Sequence, residues 1–91
     1  MYIKFYTKQF QKSFNKILRS GKVKREEVDF VVNMLSSGNF LDPTYQDHAL
    51  SGEYQGYREC HIRGDLLLIY RIENNKIVLV LFGIGTHSEL F

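Results

Sequence analysis

The stretch "EYQGYRECHIRGDLLLIYRIENNKIVLVLFG", residues 53–83, decides the fold. It holds three runs rich in Ile, Leu, Val and Tyr, separated by two turn signals. Glu53–Ile62 reads as a strand, Arg63-Gly64 as a two-residue turn, and Asp65–Ile72 as a second strand. Glu73-Asn74-Asn75 turns the chain again, into a third strand from Lys76 to about Gly83. Side chains alternate along a strand, so Tyr57, Glu59 and His61 share one face while Arg58, Cys60 and Ile62 share the other. Cys60 and Ile62 are the better candidates for a core. Glu59 and His61 then point to an open face.

Upstream the period changes. Met1–Tyr6 reads as another strand, and Thr7 is placed to cap a helix. Phe10, Phe14, Ile17 and Leu18 fall on one helical stripe, and Gly21 ends it. A second helix is expected from about Lys24 to Ser37, with Glu26 and Glu27 in its first turn. Its apolar face is Val28, Val31, Val32 and Leu35, and Gly38 ends it. Asn39–Gly52 reads as a loop. The fold class expected is α+β: two N-terminal helices packed on one face of a small, mainly antiparallel four-stranded sheet, the other face largely open. The residues after Gly83 read as an exposed tail or a short turn.

Ninety-one residues are expected to make a single domain, 1–91. One cysteine excludes an intramolecular disulfide and suits a reducing cytosol. No signal peptide is apparent and the apolar run Ile77–Phe82 is too short to span a membrane, so a cytoplasmic, membrane-free protein is expected. Charge is lopsided: residues 1–25 carry eight Lys or Arg and no acid, whereas residues 26–91 carry four basic and ten acidic residues. Such asymmetry suits a polyanion partner. Lys8, Lys12 and Lys16 form one row on the first helix. A merely solvated helix face explains some of these lysines, but not a 25-residue stretch without an acid.

Three histidines, His48, His61 and His87, each have a carboxylate nearby in sequence. Two imidazoles flanking a phosphodiester can cleave RNA without a metal: one takes the 2′-OH proton and the other protonates the departing 5′-oxygen. Ordinary surface or half-buried histidines remain the competing reading. The possible ligands lie too far apart for a compact zinc pattern, and no metal or cofactor is expected. Phe91 and Tyr57 are candidates for stacking on unpaired bases, against the alternative that Phe91 anchors the tail in the core.

From Tyr45 to Phe91 the chain closely resembles the YafQ family of bacterial toxins, within the larger RelE group. The resemblance is carried by D-H-A-L-S-G at 47–52, R-E-C-H-I at 58–62, D-L-L-L-I-Y at 65–70 and the terminal G-T-H-S-E-L-F. The N-terminal half fits by layout more than by motif. The resemblance implies a toxin of a type II toxin–antitoxin system, an endoribonuclease that enters the ribosomal A site and cuts the mRNA being translated. It implies functional roles for His48, His61 and His87, for the acidic Asp65 and for the terminal aromatic Phe91. The roles assigned are His48 as general base, His87 as general acid, Asp65 orienting an imidazole, His61 lining the site and Phe91 positioning a base. Lys8, Lys12 and Lys16 are expected to meet ribosomal RNA phosphates, with Arg58 and Arg63 as further RNA contacts. A cognate antitoxin is implied as partner, and operator DNA only through that antitoxin.

Two departures stand out. Gly64 replaces a proline usual in the family, which only loosens a turn. Gly83 stands where the family typically has Arg, which would stabilise negative charge in the transition state. Cleavage is therefore expected to be weakened unless Arg58, Arg63 or Arg71 substitutes. The alternative is a protein of toxin fold that binds antitoxin, ribosome or gyrase without cutting RNA; the three histidines argue against it.

Overall fold

The computed structural model describes residues 2–73 and 78–91. Strand β1 (Ile3–Tyr6) leads into helix α1 (Lys8–Ser20) and helix α2 (Arg25–Ser36). Thr7 caps α1 as its sequence suggests, its hydroxyl accepting from the Phe10 amide at 3.0 Å. Gly21 ends α1 in the left-handed region at φ 74°. At the start of α2, the Glu27 carboxylate accepts from the Lys24 amide at 2.8 Å.

The sheet has five strands rather than the four expected. A two-residue strand β2 (His48–Ala49) precedes β3 (Arg58–Arg63), β4 (Leu66–Glu73) and β5 (Val78–Thr86), in the order β1-β5-β4-β3-β2. Among the described residues, only the β1–β5 pair is parallel. Two residues are too short to show an alternation, so β2 is hidden inside the expected loop, which also contains a 3-10 turn at Pro43–Tyr45. The strand expected from Glu53 begins only at Arg58. Gly52–Tyr54 forms a 3-10 turn instead, and Gly56 takes φ 96°, which extended strand does not permit. The β3–β4 turn falls on Gly64-Asp65, one residue later than expected. The expected turn at Asn74-Asn75 and the start of the third meander strand at Lys76 lie outside the described residues.

The helices cover one sheet face. Phe10, Phe14 and Ile17 of α1 and Val28, Val31, Val32 and Leu35 of α2 pack with Cys60, Leu68, Tyr70, Leu79, Leu81 and Ile84. The parity reading therefore holds for β3, where Cys60 is fully buried among them. Burial pushes the Cys60 thiol up to about 12, and the nearby charges of Asp47 and Glu59 add to this.

A bulge explains how both Leu81 and Ile84 reach this core. Tyr70 pairs with Leu81 while Ile69 pairs with Gly83, so one extra residue, Phe82, is accommodated in β5. The bulge turns Gly83 and Gly85 to the second face. That face is less open than expected, because the chain end folds back over it. Residues expected as a tail form a short helix α3 (His87–Leu90).

Candidate active site

The site is built where β2 meets β3 on the second sheet face. His48 pairs directly with Glu59 across the two strands. Glu59 is one of two buried polar or charged residues among the described ones, at 5% exposure. Its Oε1 lies 3.6 Å from His48 Nε2 and 3.9 Å from His61 Nε2. The two imidazoles are the nearest polar side chains to it, beyond hydrogen-bond distance, and each forms an ion pair with it only when protonated. His48 Nδ1 lies 2.7 Å from the Gln46 carbonyl oxygen, which is turned toward the ring by the left-handed backbone at Gln46, φ 52°. With Nδ1–H donating there, Nε2 is left as the exchangeable nitrogen, facing Glu59. His61 Nδ1 lies 3.3 Å from the Gly64 carbonyl oxygen.

The loop carrying His48 is fastened by its neighbour in sequence. The Asp47 carboxylate accepts from the Tyr70 hydroxyl at 2.7 Å and from Arg58 at 3.3 and 3.4 Å. Burial raises the Tyr70 phenol, and its bond to Asp47 raises it further, so it remains a donor. Burial pulls the Arg58 guanidinium down, but its bonds to Asp47 and Tyr70 more than offset this and hold it above its ordinary value.

The chain end supplies the third histidine. Thr86 and Glu89 cap α3 reciprocally: the Glu89 carboxylate accepts from the Thr86 amide at 2.8 Å, and the Thr86 hydroxyl accepts from the Glu89 amide at 3.3 Å. These bonds hold the Glu89 carboxyl below the usual range. His87 opens this helix and its ring lies 4.9 Å from that of Phe91. Phe91 in turn meets Tyr54 edge-on at 5.0 Å, and is 48% exposed rather than buried in the core. Pairing runs from His61 to Leu67 to Gly85, so β3 and the strand that delivers His87 are two strand spacings apart, about 10 Å. Glycine at 83 lets α3 lie close: a Cβ there would stand 3.3 Å from Leu90 Cδ2.

Among the described residues, no hydrogen bond, ion pair or ring contact joins His87 or Phe91 to His48, His61 or Glu59, and other expected residues also lie outside that cluster. Asp65 is exposed in the turn, and no hydrogen bond joins it to an imidazole among the described residues; Glu59 occupies the place expected for it. Arg58 is bonded to Asp47, and Arg63 lies 3.3 Å from Glu27 of α2. Both cations are therefore held by carboxylates away from the histidines. Lys8, Lys12 and Lys16 are exposed along α1, with Lys16 beside α3. Glu59 was readable from strand parity, which puts it beside His61. The capping signal Thr86-x-x-Glu89 was likewise present in the sequence. Among the described residues, no group of three or more His, Cys, Asp or Glu side chains is gathered as a metal site.

The profile of a family described as bacterial toxin of type II toxin–antitoxin system, YafQ, matches residues 2–91. The chain belongs to the YafQ family. A putative toxin YafQ from Haemophilus influenzae is 68% identical over 51 residues, 54% of this chain and 50% of that protein. The match thus spans half the length of that relative. The Escherichia coli protein named mRNA interferase toxin YafQ is 29% identical over 87 residues, covering 94% of this chain and 91% of its own. A copper-bound mutant toxin from Helicobacter pylori superposes with a TM-score of 0.94 at 40% identity, covering all of both chains. The toxin chain in the crystal structure of the E. coli DinJ-YafQ complex superposes with a TM-score of 0.85 at 27% identity, covering 100% of this chain and 99% of that one. The α+β architecture is that of YafQ structures, with five strands and a third short helix.

Proposed function

We propose that this type II toxin is an endoribonuclease that cleaves mRNA in the ribosomal A site by acid–base attack of the 2′-OH. The observation that carries the reading is the pair His48 and His61 around buried Glu59, on the face over which α3 folds His87 and Phe91. His48 Nε2 removes the 2′-OH proton, and the freed oxygen attacks the adjacent phosphorus. The bond to the 5′-oxygen breaks, and His87 protonates that oxygen. The products are a 2′,3′-cyclic phosphate and a 5′-hydroxyl. Glu59 balances the charge that His48 gains and orients both imidazoles. His61 lines the site, and Phe91 stacks on an unpaired base. Asp65 contributes from the exposed turn, adjusting the entering strand rather than an imidazole.

Lys8, Lys12 and Lys16 meet ribosomal RNA phosphates, a salt-dependent contact. Arg58 and Arg63 reach RNA only by leaving Asp47 and Glu27. The E. coli relative assembles with DinJ, and an antitoxin silences this chain likewise; operator DNA is reached through that partner. Residues 1–91 act as one toxin domain in the cytoplasm, and no described helix is long and apolar enough to cross a membrane.

Primer extension on mRNA held by purified ribosomes tests the reading. New 3′ ends within A-site codons support it; intact mRNA with the protein bound to the ribosome contradicts it. The second outcome would favour binding without cleavage, which the absence of a cation at Gly83 supports.

A further inference from the structure

Beyond the histidines, the second sheet face continues into a groove of about 440 Å³ whose walls include Phe5, Tyr57, Arg71, Glu73, Val80 and Phe82. We infer that this groove binds one nucleotide of single-stranded mRNA flanking the scissile phosphate, its base against Tyr57 and Phe82 and its phosphate on Arg71. The inference rests on the endoribonuclease reading and extends it to a second subsite.

Three observations carry it. First, the groove is continuous with the site through aromatic rings. His87 lies against Phe91, Phe91 against Tyr54, Tyr54 against Tyr57 at 6.4 Å, and Tyr57 against Phe82 at 4.8 Å. Successive rings along a surface are how sequence-tolerant proteins hold unpaired bases. Second, the Arg71 guanidinium lies over the Tyr57 ring, 5.5 Å from its centre, so the aromatic wall itself holds a cation at the groove, and a base stacking on that face takes the guanidinium's place there. Third, Arg71 Nε is buried and has no hydrogen-bond partner among the described residues. That nitrogen is closed to solvent, so a phosphate would meet the exposed end of the guanidinium, whose planar fork suits it.

The other two candidate cations, Arg58 and Arg63, are directed to Asp47 and Glu27. Arg71 has one carboxylate partner, Glu73 at 2.6 Å, two residues along the same strand. A phosphate must compete with Glu73, which keeps the groove electrically balanced until RNA arrives. What distinguishes Arg71 is its place: strand parity puts it on the face of Ile69 and Glu59, whereas Arg58 lies on the face of Cys60. A polypeptide would use the apolar walls equally well, but it has no need of the guanidinium donor.

The test is single-turnover cleavage on programmed ribosomes, with messages carrying one abasic residue at each position around the mapped cut. Wild-type protein should show a flanking position where base removal slows cleavage about tenfold. Tyr57→Ala and Arg71→Gln should each slow cleavage of the intact message about tenfold at subsaturating protein. Tyr57→Ala should then be indifferent to the abasic residue, while Tyr57→Phe, which keeps the ring, should still respond to it. Glu73→Gln should tighten binding. Thermal melts identify any variant that has lost its fold, and Arg71→Lys then serves as the milder probe, with a partial loss expected. Wild-type cleavage with both Tyr57→Ala and Arg71→Gln at full rate overturns the inference alone. If those variants cleave normally yet escape silencing by antitoxin, the groove belongs to the antitoxin and the inference fails. Absence of wild-type cleavage overturns the endoribonuclease reading and the inference with it.

Discussion

The two faces of the sheet are made from the same strands but do opposite work. The face under α1 and α2 buries an unbroken apolar set from Phe10 to Ile84, and its one thiol, Cys60, is held neutral by burial. The other face buries a carboxylate, Glu59, and sets two imidazoles against it. Burying a carboxyl group gains less than burying apolar side chains, so the second face is the less stabilising of the two. The lesson is that a residue's surroundings here are decided by its strand parity: neighbours such as Glu59 and Cys60 are both buried but meet different partners because they differ in face.

Substitutions should separate the faces. His48→Ala or His87→Ala should lower single-turnover cleavage about 10²–10⁴-fold, the range typical of a lost acid–base group, with little change in melting temperature. Equal loss of stability would mean the histidines are structural. On the helix side, Leu68→Ala should cost about 2–5 kcal/mol in denaturant unfolding, because it leaves a cavity. It should leave cleavage intact at a temperature where the protein is folded.

Tyr70→Phe joins the two faces. It removes the hydroxyl that binds Asp47 and should cost about 1–3 kcal/mol. It should also slow cleavage modestly by loosening the loop that carries His48. A stability loss without any kinetic change would show that His48 is positioned independently. Gly83→Arg should raise cleavage about tenfold by restoring a cation beside the reacting phosphate. The backbone there accepts a side chain, and the 3.3 Å approach of Leu90 involves the end of a flexible side chain. An unchanged rate would show that the position is dispensable.

The smallest effect concerns the tail. The folded Glu89 carboxyl is held below its ordinary value by Thr86, so its capping contribution is present above the unfolded carboxylate range. That contribution is lost as pH falls through the lowered folded value. Amide signals of α3 should therefore broaden or shift in acid before those of α1, as NMR would record. Simultaneous loss would tie the tail to the global fold.

Much of this was legible in the chain. The helical stripes of Phe10 and Val28, the cap at Thr7 and the parity of Cys60 follow from local periodicity, which survives folding. The two-residue β2 was not legible, because its pairing to β3 is a tertiary event with no local pattern. The bulge at Phe82 was hidden for the same reason, although Gly83 in a strand run hinted at it. In the site, the histidines were readable by type and by family motif. Glu59 beside His61 was readable from strand parity, but its pairing with His48 was not, because β2 meets β3 only in the folded chain.

The central claim, that the second face performs acid–base chemistry on a ribose hydroxyl, is tested most directly with one substituted message. A single 2′-deoxynucleotide would be placed at the mapped cut site of mRNA on the ribosome, and cleavage compared with the all-ribose message. The deoxy message should stay intact at that site, and the ribose message should yield a 2′,3′-cyclic phosphate end. Cleavage of the deoxy message at the same position would contradict the claim.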